Sequence, residues 1–190
     1  KEGFKKKLAF LYAALGALDS DEGNYKESIE NDFKAIKIFE ETKDWYNIAL
    51  IKGNIGNLFD EIGDYKNGEK YELESLQYFE KLEDKMNISI GLQGMGTHFA
   101  FKGDIKKSNE YLFRGLKISE EIEDTTGIYF FNKSIGDNYL KTAQYDKALQ
   151  NYTKCVNLLN NLGNVYEKAS TLLNTSLTYI YLNQIEKAQQ

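Results

Sequence analysis

The sequence returns to itself every 40 residues. Gly23-Asn24-Tyr25, Gly63-Asp64-Tyr65, Gly103-Asp104-Ile105, Ala143-Gln144-Tyr145 and Asn183-Gln184-Ile185 follow one another at that spacing without a slip. Other columns hold the same register. Gly16, Gly56, Gly96, Gly136 and Ser176 form a small column, and Phe59, Phe99, Tyr139 and Tyr179 an aromatic one three residues later. Ser28, Gly68, Ser108, Ala148 and Ala188 form a second small column, Ala35, Ser75, Gly115 and Cys155 a third, and Ile36, Leu76, Leu116 and Val156 an aliphatic one. Units of this size cannot bury their apolar faces alone, so a fixed period of this length demands a stack of supersecondary units.

Within one period the apolar residues Ile48, Ile51, Ile55, Leu58, Phe59 and Ile62 recur at helical spacing. They predict a helix A from about Trp45 to Ile62. Gly63 supplies the left-handed residue that ends it. Tyr65 opens a second amphipathic stretch through Leu76, Phe79 and Leu82, helix B. Asp44, Asp84, Asp124 and Asn164 are placed to cap the A helices through their side-chain oxygens. The chain contains no proline, so no helix is broken by one.

The Gly-x-x-aromatic step in helix A, the Gly-Asp-Tyr turn and the two small positions of helix B resemble the tetratricopeptide repeat. The resemblance covers essentially the whole chain and is closest to the long variety, seen here in Ile55-Gly56-Asn57, Gly63-Asp64-Tyr65 and Glu83-Asp84. It implies an all-α fold, an α-solenoid in which antiparallel helix hairpins wind a right-handed superhelix. The expected organisation is a single domain over 1–190, with repeats at about 4–43, 44–83, 84–123 and 124–163 and a partial one at 164–190. Two departures stand out. Asp19 occupies the aromatic column, and Ala143 replaces a turn glycine, where it either avoids the left-handed region or adopts it at a cost of about 1 kcal/mol. The chain opens at Lys1 without methionine and ends a few residues into a helix B, so a longer natural protein is expected.

Composition excludes several classes. The formal charge is −5, with both signs interspersed, a poor footprint for phosphate backbones; no nucleic-acid partner is expected. Lys5, Lys6 and Lys7 form a basic run that reads as a solvated helix face. No stretch approaches 18 apolar residues, so no membrane span is expected. The single cysteine, Cys155, forms no internal disulfide and fits a reducing, cytoplasmic setting.

Candidate chemistry is sparse. His98 is the one histidine and nothing in the sequence nominates partners for it, so it reads as a partly buried or surface residue. Cys155 falls in a column of small residues and reads as packing. Gly91 and Gly94 are extra to the repeat. They mark either a softer helix or a place where a ligand or a neighbouring backbone comes close. The Glu40-Glu41 and Glu120-Glu121 pairs read as solvated faces. Tyr129, Phe130 and Phe131 exceed what one apolar stripe buries, so at least one should reach a surface or groove. No catalytic residue, metal or cofactor is expected, and the chain reads as a non-enzyme.

In the family that the chain resembles, the A helices line an inner, concave face, and three positions around the column glycine point inward. Carried onto this sequence, they give a partner-binding strip of Asn54, Asn57, Gln93, Thr97, Lys133, Asp137 and Asn174. Amide side chains offer a donor and an acceptor each and suit a peptide backbone. Lys133 and Asp137, four apart on one helix, are placed to pair when the strip is empty. The carboxylate clamp of chaperone-binding relatives is incomplete, because Asp137 stands where it wants asparagine. The expected function is a non-catalytic module binding a protein or peptide, as a sensory or scaffolding region of a larger signalling protein. The alternatives are a peptide-pheromone receptor domain, or a regulatory region of a histidine kinase or nucleotide cyclase. Self-association through the C-terminal edge is a further possibility.

Overall fold

The computed structural model describes residues 2–162 and 165–183. Among these residues it contains nine α-helices and no strand: α1 (Glu2–Asp21), α2 (Tyr25–Glu41), α3 (Trp45–Glu61), α4 (Tyr65–Lys81), α5 (Lys85–Phe101), α6 (Ile105–Glu121), α7 (Thr125–Lys141), α8 (Tyr145–Leu162) and α9 (Val165–Tyr181). The all-α hairpin architecture is the one the period predicts. Helix A of the second repeat is α3, ending one residue short of the expected Ile62. No helix among the described residues is long and apolar enough to cross a membrane.

Among the described residues, the first three repeats each carry two left-handed turns where the sequence signals one. Positive φ recurs every 20 residues from Gly23 through Lys43, Gly63, Glu83, Gly103 and Glu123 to Ala143, and again at Asn183. At Gly63 the turn closes with Gly63 N–H donating to Asp60 O at 3.0 Å and Asp64 N–H to Phe59 O at 2.8 Å. This paired bond satisfies carbonyls that the helix end would otherwise leave open. The same pair recurs at Lys43, whose N–H reaches Glu40 O while Asp44 N–H reaches Phe39 O. Of the two options for Ala143, the structure takes the left-handed one, at φ 56°.

The capping column holds in part. Asp44 and Asp84 accept from the backbone N–H of Asn47 and Asn87, and Asp64 and Asp104 do the same for α4 and α6. Asp124 takes the position but makes no side-chain cap. Asn47 and Asn87 also donate their side-chain amides to the capping carboxylate, which Gly127 cannot do, although Asp104 caps Lys107 without such help. Asn164 lies outside the described residues.

The chain divides into two compact units, Lys1–Lys102 and Gly103–Gln190. In the first, α1 packs on α2, α3 on α4, and α5 on both α4 and α3. Ala9, Ala35, Ile36, Phe39, Ile48, Ile51 and Ile55 form its core. The column glycines Gly16, Gly56 and Gly96 are buried. A Cβ on Gly56 would lie 2.9 Å from the backbone N of Glu72 and 3.1 Å from Gly68 O, so glycine sets how closely α3 and α4 approach. Asp19 now has an account. Asn31 donates to it at 2.7 Å, and this polar pair replaces the stacked rings of Phe59 and Tyr71 one repeat later.

In the second unit α7 packs on α6 and α8, and α9 on α8 and α7. Leu112, Leu116, Phe131 and Ile135 form one cluster; Tyr129, Cys155 and Leu159 form another. Gly136 is buried, and a Cβ there would stand 2.8 Å from the Tyr152 ring. Tyr129 and Phe131 are buried, leaving the half-buried Phe130 as the one of the three aromatics nearest the surface. Cys155 is fully buried, and burial, with the charge of Asp137, pushes its thiol up to about 12. A thiol held protonated in this way is packing and not a nucleophile.

Candidate functional site

The positions expected to face inward in the first unit lie on α3 and α5. Asn54 and Asn57 are exposed there, while Gln93 and Thr97 are half-buried. Two cavities adjoin on this face. The larger, about 380 Å³, is lined by Ala13 and Ala17 of α1, Ser28 and Asp32 of α2, and Asn54 and Asn57 of α3. The smaller, about 50 Å³, is lined by Gly53, Asn54 and Asn57, by Glu72 and Ser75 of α4, and by Gly91 and Gly94 of α5. Asn54 and Asn57 belong to both cavities; Gln93 and Thr97 line neither.

The two extra glycines of α5 face α4 side chains. A Cβ on Gly91 would meet Leu76 Cδ1 at 3.2 Å, and one on Gly94 would meet Glu72 Oε1 at 3.1 Å. The glycines therefore allow close approach between α5 and α4, whatever softening of the helix accompanies it.

Beneath the smaller cavity lies a group that sequence reasoning missed. His98 is wholly buried, which corrects its reading as a partly buried or surface residue. Its Nδ1 stands 2.8 Å from each carboxylate oxygen of Asp60, and its Nε2 3.5 Å from Glu69 Oε2. Lys102 donates to that Glu69 oxygen at 2.9 Å and holds the Glu69 carboxyl below its ordinary range. Glu72, 3% exposed, leaves both carboxyl oxygens without a hydrogen-bond partner. One ligand atom each from Asp60, Glu72 and His98 lie within 4.8 Å of one another.

Burial dominates the electrostatics here. It raises Asp60 above its ordinary value against the opposing pull of His98. Together with the charges of Asp60 and Glu69 it pushes Glu72 up to about 9. Burial likewise pushes Asp32, the equivalent of Glu72 one repeat earlier, up to about 7. The signal in the sequence was the column itself. Asp32 and Glu72 share theirs with Leu112 and Tyr152, and His98 shares its own with Leu18, Leu58, Asn138 and Thr178. A charge in a packing column marks a buried polar group, but the other side of the pair lies on another helix.

In the second unit the candidate residues bind one another. Lys133 Nζ reaches Asp137 Oδ2 at 3.4 Å, the expected pairing. Asp137 Oδ1 also accepts from Tyr152 Oη at 2.7 Å and from Asn174 Nδ2 at 3.0 Å. Lys133, Asp137 and Asn174 are all half-buried. Asp137 is thus the hub of a network that joins α7, α8 and α9.

No family model and no curated protein matches the sequence. Solved structures do match the fold. BtubC from P. vanneervenii is 14% identical with a TM-score of 0.84, over 97% of this chain and 77% of that one. A Signal Transduction ATPase with Numerous Domains from Pyrococcus horikoshii, which carries a tetratricopeptide repeat sensor, is 18% identical with a TM-score of 0.79; the match covers 97% of this chain and 29% of that one. NprR, solved in complex with its cognate peptide NprX, is 15% identical with a TM-score of 0.75, over 100% of this chain and 54% of NprR. The chain is therefore similar in fold to tetratricopeptide-type repeat proteins, and it spans about half or less of the latter two.

Proposed function

We propose that the chain is a non-catalytic repeat module that binds a protein or peptide segment along the α1, α3 and α5 face, as a sensory or scaffolding region of a larger cytoplasmic signalling protein. The observation that carries this reading is the position of Asn54 and Asn57. Both are exposed and both line two adjoining cavities, one turn of α3 apart on its open face. Their amides can donate to and accept from the backbone of an extended segment whatever its side chains. The fold likeness to NprR with its cognate peptide, and to a tetratricopeptide repeat sensor, supports a peptide ligand over other classes.

Gln93 and Thr97 are the next inward positions on α5 and would meet the same segment. Lys133, Asp137 and Asn174 would offer charged and amide contacts in the second unit. Because Asp137 keeps Tyr152 and Asn174 as partners, Lys133 is the member free to turn to a ligand carboxylate.

The test is selection of binding peptides from a random displayed library on the wild-type protein, followed by titration of the selected peptides against Asn54→Ala/Asn57→Ala and against Lys133→Ala. The expected result is at least a tenfold loss of affinity in the double variant with unchanged melting. Equal affinity in all three proteins would remove the ligand from this face.

A further inference from the structure

The cluster beneath the smaller cavity contains two buried carboxyl groups and the chain's one imidazole, drawn from three different helices. Glu72 is the anomaly. A buried carboxyl normally spends its oxygens on hydrogen bonds, yet both of these have none, and they face groups that can donate electron pairs. Asp60 is crowded into the same space, since a Cβ on Gly68 would run into its carboxylate. Glycines at 56, 68 and 94 pack directly against these two carboxylate side chains, where any larger residue would collide with them.

We propose that Asp60, Glu72 and His98 form a binding site for a first-row divalent transition metal ion such as Zn²⁺. Two oxygen ligands and one imidazole nitrogen are a donor set that such ions accept, with water completing the shell. Metal–ligand bonds of about 2.0–2.2 Å need donors spaced by roughly 3.3–3.5 Å. The spacings here run from 2.8 Å between Asp60 and His98 Nδ1 to at most 4.8 Å, so an ion would replace the proton shared by that pair and draw Glu72 inward. An outer-shell carboxylate stands within reach, 3.5 Å from a His98 Nε2 that has no hydrogen-bond partner. With Nδ1 on the Asp60 side, the Nε2 edge of the imidazole faces Glu69, which Lys102 holds. A carboxylate on the far nitrogen fixes the orientation of a ligating histidine. Glu72 also lines the cavity of about 50 Å³ between α3 and α5, which gives an ion a way in. This inference is independent of the peptide reading.

Zn²⁺ titrated by calorimetry into tag-free, chelator-stripped protein should bind at one equivalent. Because His98 is the single histidine, its ring resonances in an NMR spectrum report the event without ambiguity. Glu72→Gln and His98→Gln should each weaken binding at least tenfold, while Glu41→Gln, an exposed carboxylate elsewhere, leaves it unchanged. Glu72→Gln swaps one buried polar group for a neutral one of the same shape, and melting of the metal-free variants separates lost folding from lost ligation. No saturable uptake, a histidine spectrum indifferent to Zn²⁺, or wild-type affinity in either cluster variant would overturn the site.

Discussion

The stem of Glu72 crosses directly over Gly56, so that a single added carbon on Gly56 would stand 2.9 Å from the Glu72 backbone nitrogen. The obstruction is partly backbone, which cannot swing aside. By contrast, Gly91, two helices on, faces the flexible end of Leu76 at 3.2 Å. The column glycine and the extra glycine therefore have opposite tolerances. Gly56→Ala should cost about 1–3 kcal/mol through overpacking. Gly91→Ala should be neutral to stabilising by up to about 1 kcal/mol, because it removes a helix-interior glycine. Urea unfolding of the two variants beside wild type checks the contrast.

Asp32 predicts a pH dependence. Its folded value of about 7 lies above the ordinary 3.8, because burial penalises the charged form. Between those values the folded chain keeps a proton that the unfolded chain has released. The contribution to stability is therefore greatest below about pH 4, falls as pH rises at up to about 1.4 kcal/mol per unit, and levels off above about pH 7. Asp21, Tyr25 and Glu61 line the same cavity. Asp32→Asn should remove Asp32's share of the slope, leaving that of Glu72 and Asp60, so its stability relative to wild type should rise from about pH 5 to pH 7 and then hold constant. Paired denaturation curves across that range measure the difference.

Ala143 sits at φ 56°, where its Cβ crowds the backbone and glycine would not. Ala143→Gly should relieve about 1–2 kcal/mol of strain and lose roughly 0.4–1 kcal/mol to the greater freedom of the unfolded chain. The expected net is a gain of between zero and about 1.6 kcal/mol, read as a higher melting temperature. A lower one would mean that the turn relies on the alanine methyl.

Asp137 and Lys133 form one ion pair but should respond unequally to truncation. Lys133→Ala removes a half-exposed i,i+4 contact and should change stability by less than about 0.5 kcal/mol. Asp137→Ala leaves the buried Tyr152 hydroxyl without its acceptor and should cost about 1–3 kcal/mol. Thermal melts of the two single variants decide whether Asp137 serves the fold before any ligand.

The 40-residue period, the helical content, the buried glycine column and Cys155 as packing were legible in the sequence because each depends on local spacing or on a column repeated several times. The left-handed turns at Lys43, Glu83 and Glu123 were not, since no glycine marks them and the helix-end carbonyls impose the geometry whichever residue is there. Asp124 shows the opposite failure: the capping residue is present, but the bond does not form.

The sequence by itself determined the repeat, the hairpin, the close helix contacts at Gly56 and Gly136, and which positions of α3 stay polar. Only the tertiary structure decided that Asp60, Glu72 and His98 share one buried space, that Asp19 finds Asn31, and that Asp137 gathers Tyr152, Asn174 and Lys133. The reason is physical. A column repeated along the chain records what every repeat needs, whereas a buried polar pair is made once, between helices, and its two halves leave no periodic trace.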